Sequence, residues 1–391
     1  MSSRRRRIGR LAVRLALAAV VSLLLLWGAI HVFPGLGPWL ADTGRAAFGP
    51  AFVAKLEDFA YGVQDDVNSV RYKDAPPTQL WDPAAVDAEA PPAHVEEVPS
   101  YFPPPPVEPA HASVATTNDG RWLFIADDAA PSGGPVLAKT QIHPDPKRPH
   151  AAVAVVAMDL GRLALHVVPG TREPESTALA ARPGRVPESD HAALVAVFSG
   201  GWQAIHGHYG MMVDGVTLLP PRESSCTIGI AKESGAVRIG TWKLLTPERE
   251  SFQAFRQTPQ CLFEAGTMNR ELSDGTRNWG AAVGGDTVIR RSALGLDASR
   301  RILFYGMGDN LTARTLGEAL VTAGATDVAE LDVNWTFPRF LVYGHTGSSP
   351  AVVAPLIPVA PYKPGEYVTS GWHRDFFYVA RKAPTDAGAA P

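Results

Sequence analysis

The chain has 391 residues with 36 Lys+Arg against 39 Asp+Glu, long enough to bury one large core or two ordinary ones, and its near-balance of charge excludes a bulk polyanion binder, so no nucleic-acid partner is expected. Hydrophobic residues at 46% against charged residues at 19% exclude wholesale disorder. The 35 prolines and 36 glycines are too many for a compact helical bundle and follow no three-residue repeat, which leaves β-rich structure with a linker.

Residues 1–14 form a basic stub holding Arg4, Arg5, Arg6, Arg7, Arg10 and Arg14, and the next 19 residues, Leu15 to Phe33, contain no Asp, Glu, Lys or Arg. At 1.5 Å per residue that run is long enough to cross a bilayer core as a helix. Its basic flank places the N-terminus in the cytoplasm and all that follows in a periplasmic or extracellular space. The core runs past the usual length of a cleaved signal, so an uncleaved signal anchor is expected. The expected lipid contact is thus Leu15 to Phe33.

A membrane-proximal segment, 34–73, follows. Within it Phe52, Leu56, Phe59 and Val63 recur at helical spacing behind Pro50, predicting an amphipathic helix docked on the protein body or laid on a membrane surface. Residues 74–112 are a Pro-rich linker, with eleven prolines between Asp74 and Pro109 and the stiffness of an extended spacer. The globular domain is expected over 113–382, and a small polar tail over 383–391.

Inside the domain, Ala152 to Met158 and Arg162 to Val168 flank Asp159-Leu160-Gly161, and Tyr209 to Val213 and Val216 to Leu219 flank Asp214-Gly215; both patterns predict hairpins. Further strands are expected at Ala192 to Phe198, Thr227 to Ala231, Val237 to Trp242, Arg301 to Tyr305, Val328 to Val333, Arg339 to Tyr343 and Phe376 to Ala380. Leu316, Ala319, Leu320 and Ala323 predict one helix, with Thr315 and Glu318 as a capping box and Gly324 at its end. The fold class is α+β: a β-rich single domain with few helices, preceded by the transmembrane helix. Cys226 and Cys261 either bridge or remain buried thiols.

Three segments place polar groups at strand ends, where a scaffold holds them firmly. Phe198-Ser199-Gly200-Gly201-Trp202 offers two glycines for close backbone approach and an aromatic face. Arg290-Arg291 alternates in a strand, so at most one of the two guanidinium groups faces a pocket while the other faces solvent. Leu331-Asp332 puts a carboxylate at the end of an apolar run, a costly place unless it is paired or used. His206-Gly207-His208 would set two imidazoles on one face of a strand, but two ligands make no metal site. No cofactor motif is present, and neither metal nor cofactor is expected.

Taken in order, F-S-G-G-W at Phe198 to Trp202, R-S-A-L-G at Arg291 to Gly295, the helix ending at Gly324 and L-D-V-N-W-T at Leu331 to Thr336 resemble the phosphodiester glycosidase family. That family carries Asn-Gly-Gly-Phe-Phe, then Arg-Thr-Ala-Ile/Leu-Gly, then Leu-Asp-Gly-Gly-Gly-Ser. This chain departs from it with Ser199 in place of Asn and with Val333, Asn334 and Trp335 in place of the glycines. The resemblance implies hydrolysis of a sugar-1-phosphodiester or related anionic envelope glycan at the glycosidic bond. In that reading Asp332, Arg291 and Ser199 are catalytic: Arg291 holds the phosphate and Asp332 activates water or stabilises positive charge at the anomeric carbon. Gly200, Gly201, Trp202, Asn334, Trp335 and Thr336 bind substrate. The competing reading is a glycan-binding or envelope scaffold protein that keeps the fold with a degenerate site.

Overall fold

A computed structural model describes residues 36–82, 99–126, 134–178, 182–272, 287–345, 347 and 349–383, with scattered positions before residue 36. Nine of the 19 residues of the apolar run Leu15 to Phe33 lie outside these, as do residues 384–391 of the expected tail. Among the described residues no helix is long and apolar enough to cross a membrane. Two compact units divide the chain, Met1–Leu56 and Glu57–Pro391.

Helix α1 (Leu36–Phe48) lies in the first unit, and α2 (Pro50–Arg71) starts there and continues into the second. Pro50 at the first helical position costs no hydrogen bond, and Gly49 before it takes the left-handed conformation at φ 83°. Within the second unit α2 docks by its polar side: the Asp65 carboxylate accepts from Nε and Nη2 of Arg148 at 2.8 and 2.6 Å, and Asn68 donates to Asn310 at 3.0 Å. Phe52, Leu56, Phe59 and Val63, the apolar stripe expected to dock on the body or lie on a membrane surface, are exposed.

Three antiparallel sheets build the body. The eight-stranded sheet runs β1 (Leu123–Ile125), β2 (Leu137–Ile142), β3 (Val153–Asp159), β14 (Ile302–Leu311), β13 (Ile289–Asp297), β15 (Ala325–Val333), β11 (Phe263–Glu264), β12 (Thr267–Met268). A second holds β7 (Val216–Leu219), β6 (Met211–Val213), β10 (Phe252–Thr258), β8 (Cys226–Ala231) and β9 (Val237–Thr241), and a third β17 (Ala351–Pro355), β16 (Phe340–Gly344), β5 (Leu194–Ser199), β18 (Phe376–Arg381) and β4 (Leu163–Val168). One apolar core fills the space between the sheets, with Val156, Leu294, Leu331, Phe198, Ile228 and Phe377 among its members. This is the β-rich, helix-poor body that the alternation implies.

The remaining helix, α3 (Ala313–Thr322), packs Leu316, Ala319 and Leu320 on the other face of the large sheet. Burying each leucine contributes roughly 1.5–3 kcal/mol. Its capping box is formed by Thr312 and Thr315, one turn earlier than the expected Thr315 and Glu318. Gly324 at φ 115° ends it as expected.

The Asp214-Gly215 hairpin forms, pairing β6 with β7, with both turn residues at positive φ. The other expected hairpin does not: β3 pairs with β2 and β14, whereas β4 pairs with β18. At Asp159-Leu160-Gly161 the chain instead turns from one sheet into another. The Asp159 carboxylate fixes that corner by accepting from Tyr101, Gly161 N–H and Arg162. Complete burial of β3 is what prevents the hairpin, because both of its edges and both of its faces are already occupied.

The Pro-rich stretch is pinned to the body at both of its described ends rather than hanging as a spacer. Leu80 N–H donates to Gln141, and Phe102 is buried in the same apolar cluster as Ala138 and Phe304. Cys226 and Cys261 are bridged across β8 and the loop after β10.

Candidate functional site

Asp332, next to last in β15, is 5% exposed. Its Oδ2 lies 2.8 Å from Nη1 of Arg374, and its Oδ1 accepts from Val333 N–H at 3.0 Å. Burial raises the Asp332 pKa; the Arg374 guanidinium works in the opposite direction, and Asp375 reinforces the rise. The backbone N–H of Asp332 donates to Gly200 O at 3.1 Å, which joins the end of β15 to the bend that follows β5. Ser292 Oγ holds the Asp332 carbonyl at 2.9 Å.

The diglycine bend is filled from within the protein. A Cβ on Gly200 would lie 2.2 Å from Asp375 Oδ2, and one on Gly201 would lie 2.8 Å from the Arg256 guanidinium carbon. The close approach that these glycines permit is therefore to Asp375 and Arg256, not to a ligand as the sequence suggested. Gly201 N–H donates to Asp375 Oδ2 at 2.8 Å, and Arg256 Nε meets the same oxygen at 2.9 Å. Arg256 is 1% exposed and also donates to the carbonyls of Tyr209, Gln257 and Trp202. A buried cation with this many acceptors fixes the bend.

Ser199 Oγ donates to Phe337 O at 2.6 Å and accepts from Arg339 N–H at 3.0 Å. Its hydroxyl thus fastens the loop between β15 and β16 to β5. Arg339 pairs with Glu366, and its guanidinium lies over the Trp372 ring. The Arg374 guanidinium sits 4.3 Å over Phe337, and His373 meets the same ring edge-on. Burial lowers the His373 pKa, and Arg374, Arg172 and Arg339 lower it further, so this imidazole favours its neutral form.

Of the nominated residues, Ser199, Gly200, Gly201 and Asp332 come together. Arg291 does not join them through its side chain. It is fully buried, pairs with Glu330 at 2.6 Å, and donates to the carbonyls of Leu311 and Thr287. Arg290 pairs with Asp309 on another side of the strand. Trp202 is a core residue with Ile289 and Val333, and Trp335 is partly buried against the same cluster, its ring 6.5 Å from that of Tyr61. Asn334 accepts from Thr336 N–H in a local turn. His206 and His208 sit in a 3-10 turn and the loop after it rather than on a strand, because Gly207 takes φ 153° between them. No group of three metal-ligating side chains occurs among the described residues.

Sequence reasoning missed Arg256, Arg374 and Asp375. The signals were weaker: an arginine directly after Phe252, Ala254 and Phe255, and an Arg-Asp pair directly before the apolar run of β18. An open groove of about 620 Å³ lies elsewhere, beside the disulfide, lined by Glu223, Lys243, Gln260, Glu264 and Asn269 among others. Its lining does not include the buried charges described above.

No family model matches the chain, and no curated protein matches it. Among solved structures it is similar to the zebrafish N-acetylglucosamine-1-phosphodiester alpha-N-acetylglucosaminidase catalytic domain auto-inhibited by pro-peptide. The identity is 13% over 67% of this chain and 88% of that one, with a TM-score of 0.40. It is also similar to a hypothetical protein from Synechocystis, at 12% identity over 63% of this chain and 62% of that one, with a TM-score of 0.37. Both are distant likenesses of fold.

Proposed function

We propose that the junction of β15 with the diglycine bend is the reactive centre of a hydrolase acting on a phosphate-linked sugar. The observation that carries this reading is a buried carboxylate with a raised pKa, Asp332, held by Arg374 at a strand end beside Ser199 and Gly200. The motif order read from the sequence supplies the substrate class. Asp332 takes the proton of a water as its oxygen attacks the anomeric carbon. The bond from that carbon to the phosphate oxygen breaks, and the phosphate leaves with the electron pair. Arg374 orients the carboxylate, and Ser199 and Arg256 hold the backbone around it. Arg291 is assigned the role of a pillar beneath the site rather than of phosphate ligand.

The competing reading, glycan binding without turnover, is favoured by one feature. Val333, where the family motif has glycine, is buried with Trp202 and fills space next to Asp332. Release of sugar from a synthetic sugar-1-phosphodiester by the full chain, with Asp332→Asn as control, decides between the two. Turnover that survives the substitution removes Asp332 from the mechanism, and binding without turnover in the unaltered protein establishes the rival.

The same proposal places the body on the exoplasmic side of a membrane. Leu15 to Phe33 would be the anchor, the exposed stripe of α2 would meet the bilayer surface, and the Cys226–Cys261 bridge suits an oxidising compartment.

A further inference from the structure

The loop between β4 and β5 carries a guanidinium that differs from every arginine of the site. Arg182 Nη1 donates to the Pro174 carbonyl at 2.5 Å. Its Nε and Nη2 are buried, and neither has a hydrogen-bond partner among the described residues. Those two atoms form one edge of the planar group, with parallel N–H bonds spaced to meet two oxygens of one phosphate or carboxylate. Arg256, Arg291, Arg339 and Arg374 each already hold a carboxylate.

The loop that carries Arg182 is knitted to the segment preceding β18. Thr171 N–H donates to Trp372 O, Glu173 N–H to His373 O, and Trp372 N–H to Gly184 O. Glu173 Oε2 accepts from Ala204 N–H, just beyond the diglycine bend. Arg182 therefore belongs to the same group of loops as Arg374 and Asp375, and it feels the charges of Glu173 and Asp375. Neither carboxylate closes on it, because Glu173 is engaged by Ala204 and Asp375 by Gly201 and Arg256. A desolvated donor edge left without an acceptor is costly, and a bound oxyanion removes that cost.

We infer that the Nε and Nη2 edge of Arg182 is an oxyanion subsite, taking two oxygens of the phosphate in a phosphate-linked sugar. The assignment rests on the hydrolase reading for its choice of phosphate over carboxylate, and it gives the site the phosphate-holding cation that Arg291 does not supply.

The test is calorimetric titration of the full chain with inorganic phosphate, with a sugar 1-phosphate and, as the carboxylate arm, with a uronic acid. Phosphate should bind the unaltered protein. Arg182→Gln should weaken it at least tenfold, and Arg182→Lys severalfold, because lysine keeps the charge but loses the paired donors. The lysine variant also covers the case in which the glutamine variant fails to fold, which thermal melting reveals. Phosphate binding by the unaltered chain that is lost in the Arg182 variants, with no sugar released from a sugar-1-phosphodiester, upholds the subsite and defeats the hydrolase reading. Equal affinity in the Arg182 variants, absence of phosphate binding, or preference for the uronic acid overturns the subsite.

Discussion

Strand β15 carries two buried carboxylates, two residues apart, and each faces an arginine. Glu330 meets Arg291 from the neighbouring strand β13, inside one sheet, and both side chains are 0% exposed. Asp332 meets Arg374 from the segment before β18, across the joint between two sheets, with side chains 7% and 6% exposed. The first cation is also saturated by the carbonyls of Leu311 and Thr287. The second lies against the Phe337 ring, and its carboxylate has Asp375 nearby as a like charge. A pair enclosed within a sheet is a pillar, because nothing can reach it. At the joint, burial raises the carboxylate's pKa against the pull of Arg374, and a buried carboxylate with a raised pKa is what the proposed chemistry needs.

Breaking the pillar should have the largest effect. Arg291→Met leaves Glu330 buried without its cation and should cost about 3–5 kcal/mol, read as a fall in denaturation midpoint. A loss below about 1 kcal/mol would erase the distinction between the pairs. Next comes Asp332→Asn, which should lower sugar release by about 10²–10⁴-fold while the fold survives, measured by turnover alongside circular dichroism. Gly200→Ala drives a methyl group onto Asp375 and should destabilise by about 1–3 kcal/mol, with activity lost in parallel. An unperturbed Gly200→Ala protein would mean that the bend is looser than its contacts imply.

The smallest effect is on pH dependence. Burial lifts the folded pKa of Asp332 above the unfolded value of about 3.9. Ionising it therefore works against the fold: its contribution is fully present below the unfolded pKa and is lost as pH rises through the folded one. The melting temperature of Asp332→Asn, relative to the unaltered chain, should accordingly climb from pH 4 to pH 7. A relative fall would show that Arg374 outweighs burial.

Strand positions such as Val237 to Thr241 and the Asp214-Gly215 hairpin were legible because alternation and turn chemistry are local. Asp332 and Ser199 were legible as polar groups at the ends of apolar strands. The partnerships were not. Arg256 and Asp375 lie 119 residues apart in sequence, and no spacing rule connects them.

The α2 helix divides the same way. Its apolar periodicity predicted a helix, and a helix forms, but which face docks was decided by Arg148 and Asn310. The amino-acid order by itself determined strands such as β3, β5 and β9 and the helix that ends at Gly324, though not α1, β2 or β10, and it determined which charges stand at the ends of apolar segments, since each of these depends on neighbours within a turn or a strand. Tertiary structure alone decided which sheet each strand joins and which arginine each carboxylate meets, because burial strips both charges of water and makes their partner, wherever it lies in the chain, the strongest term left.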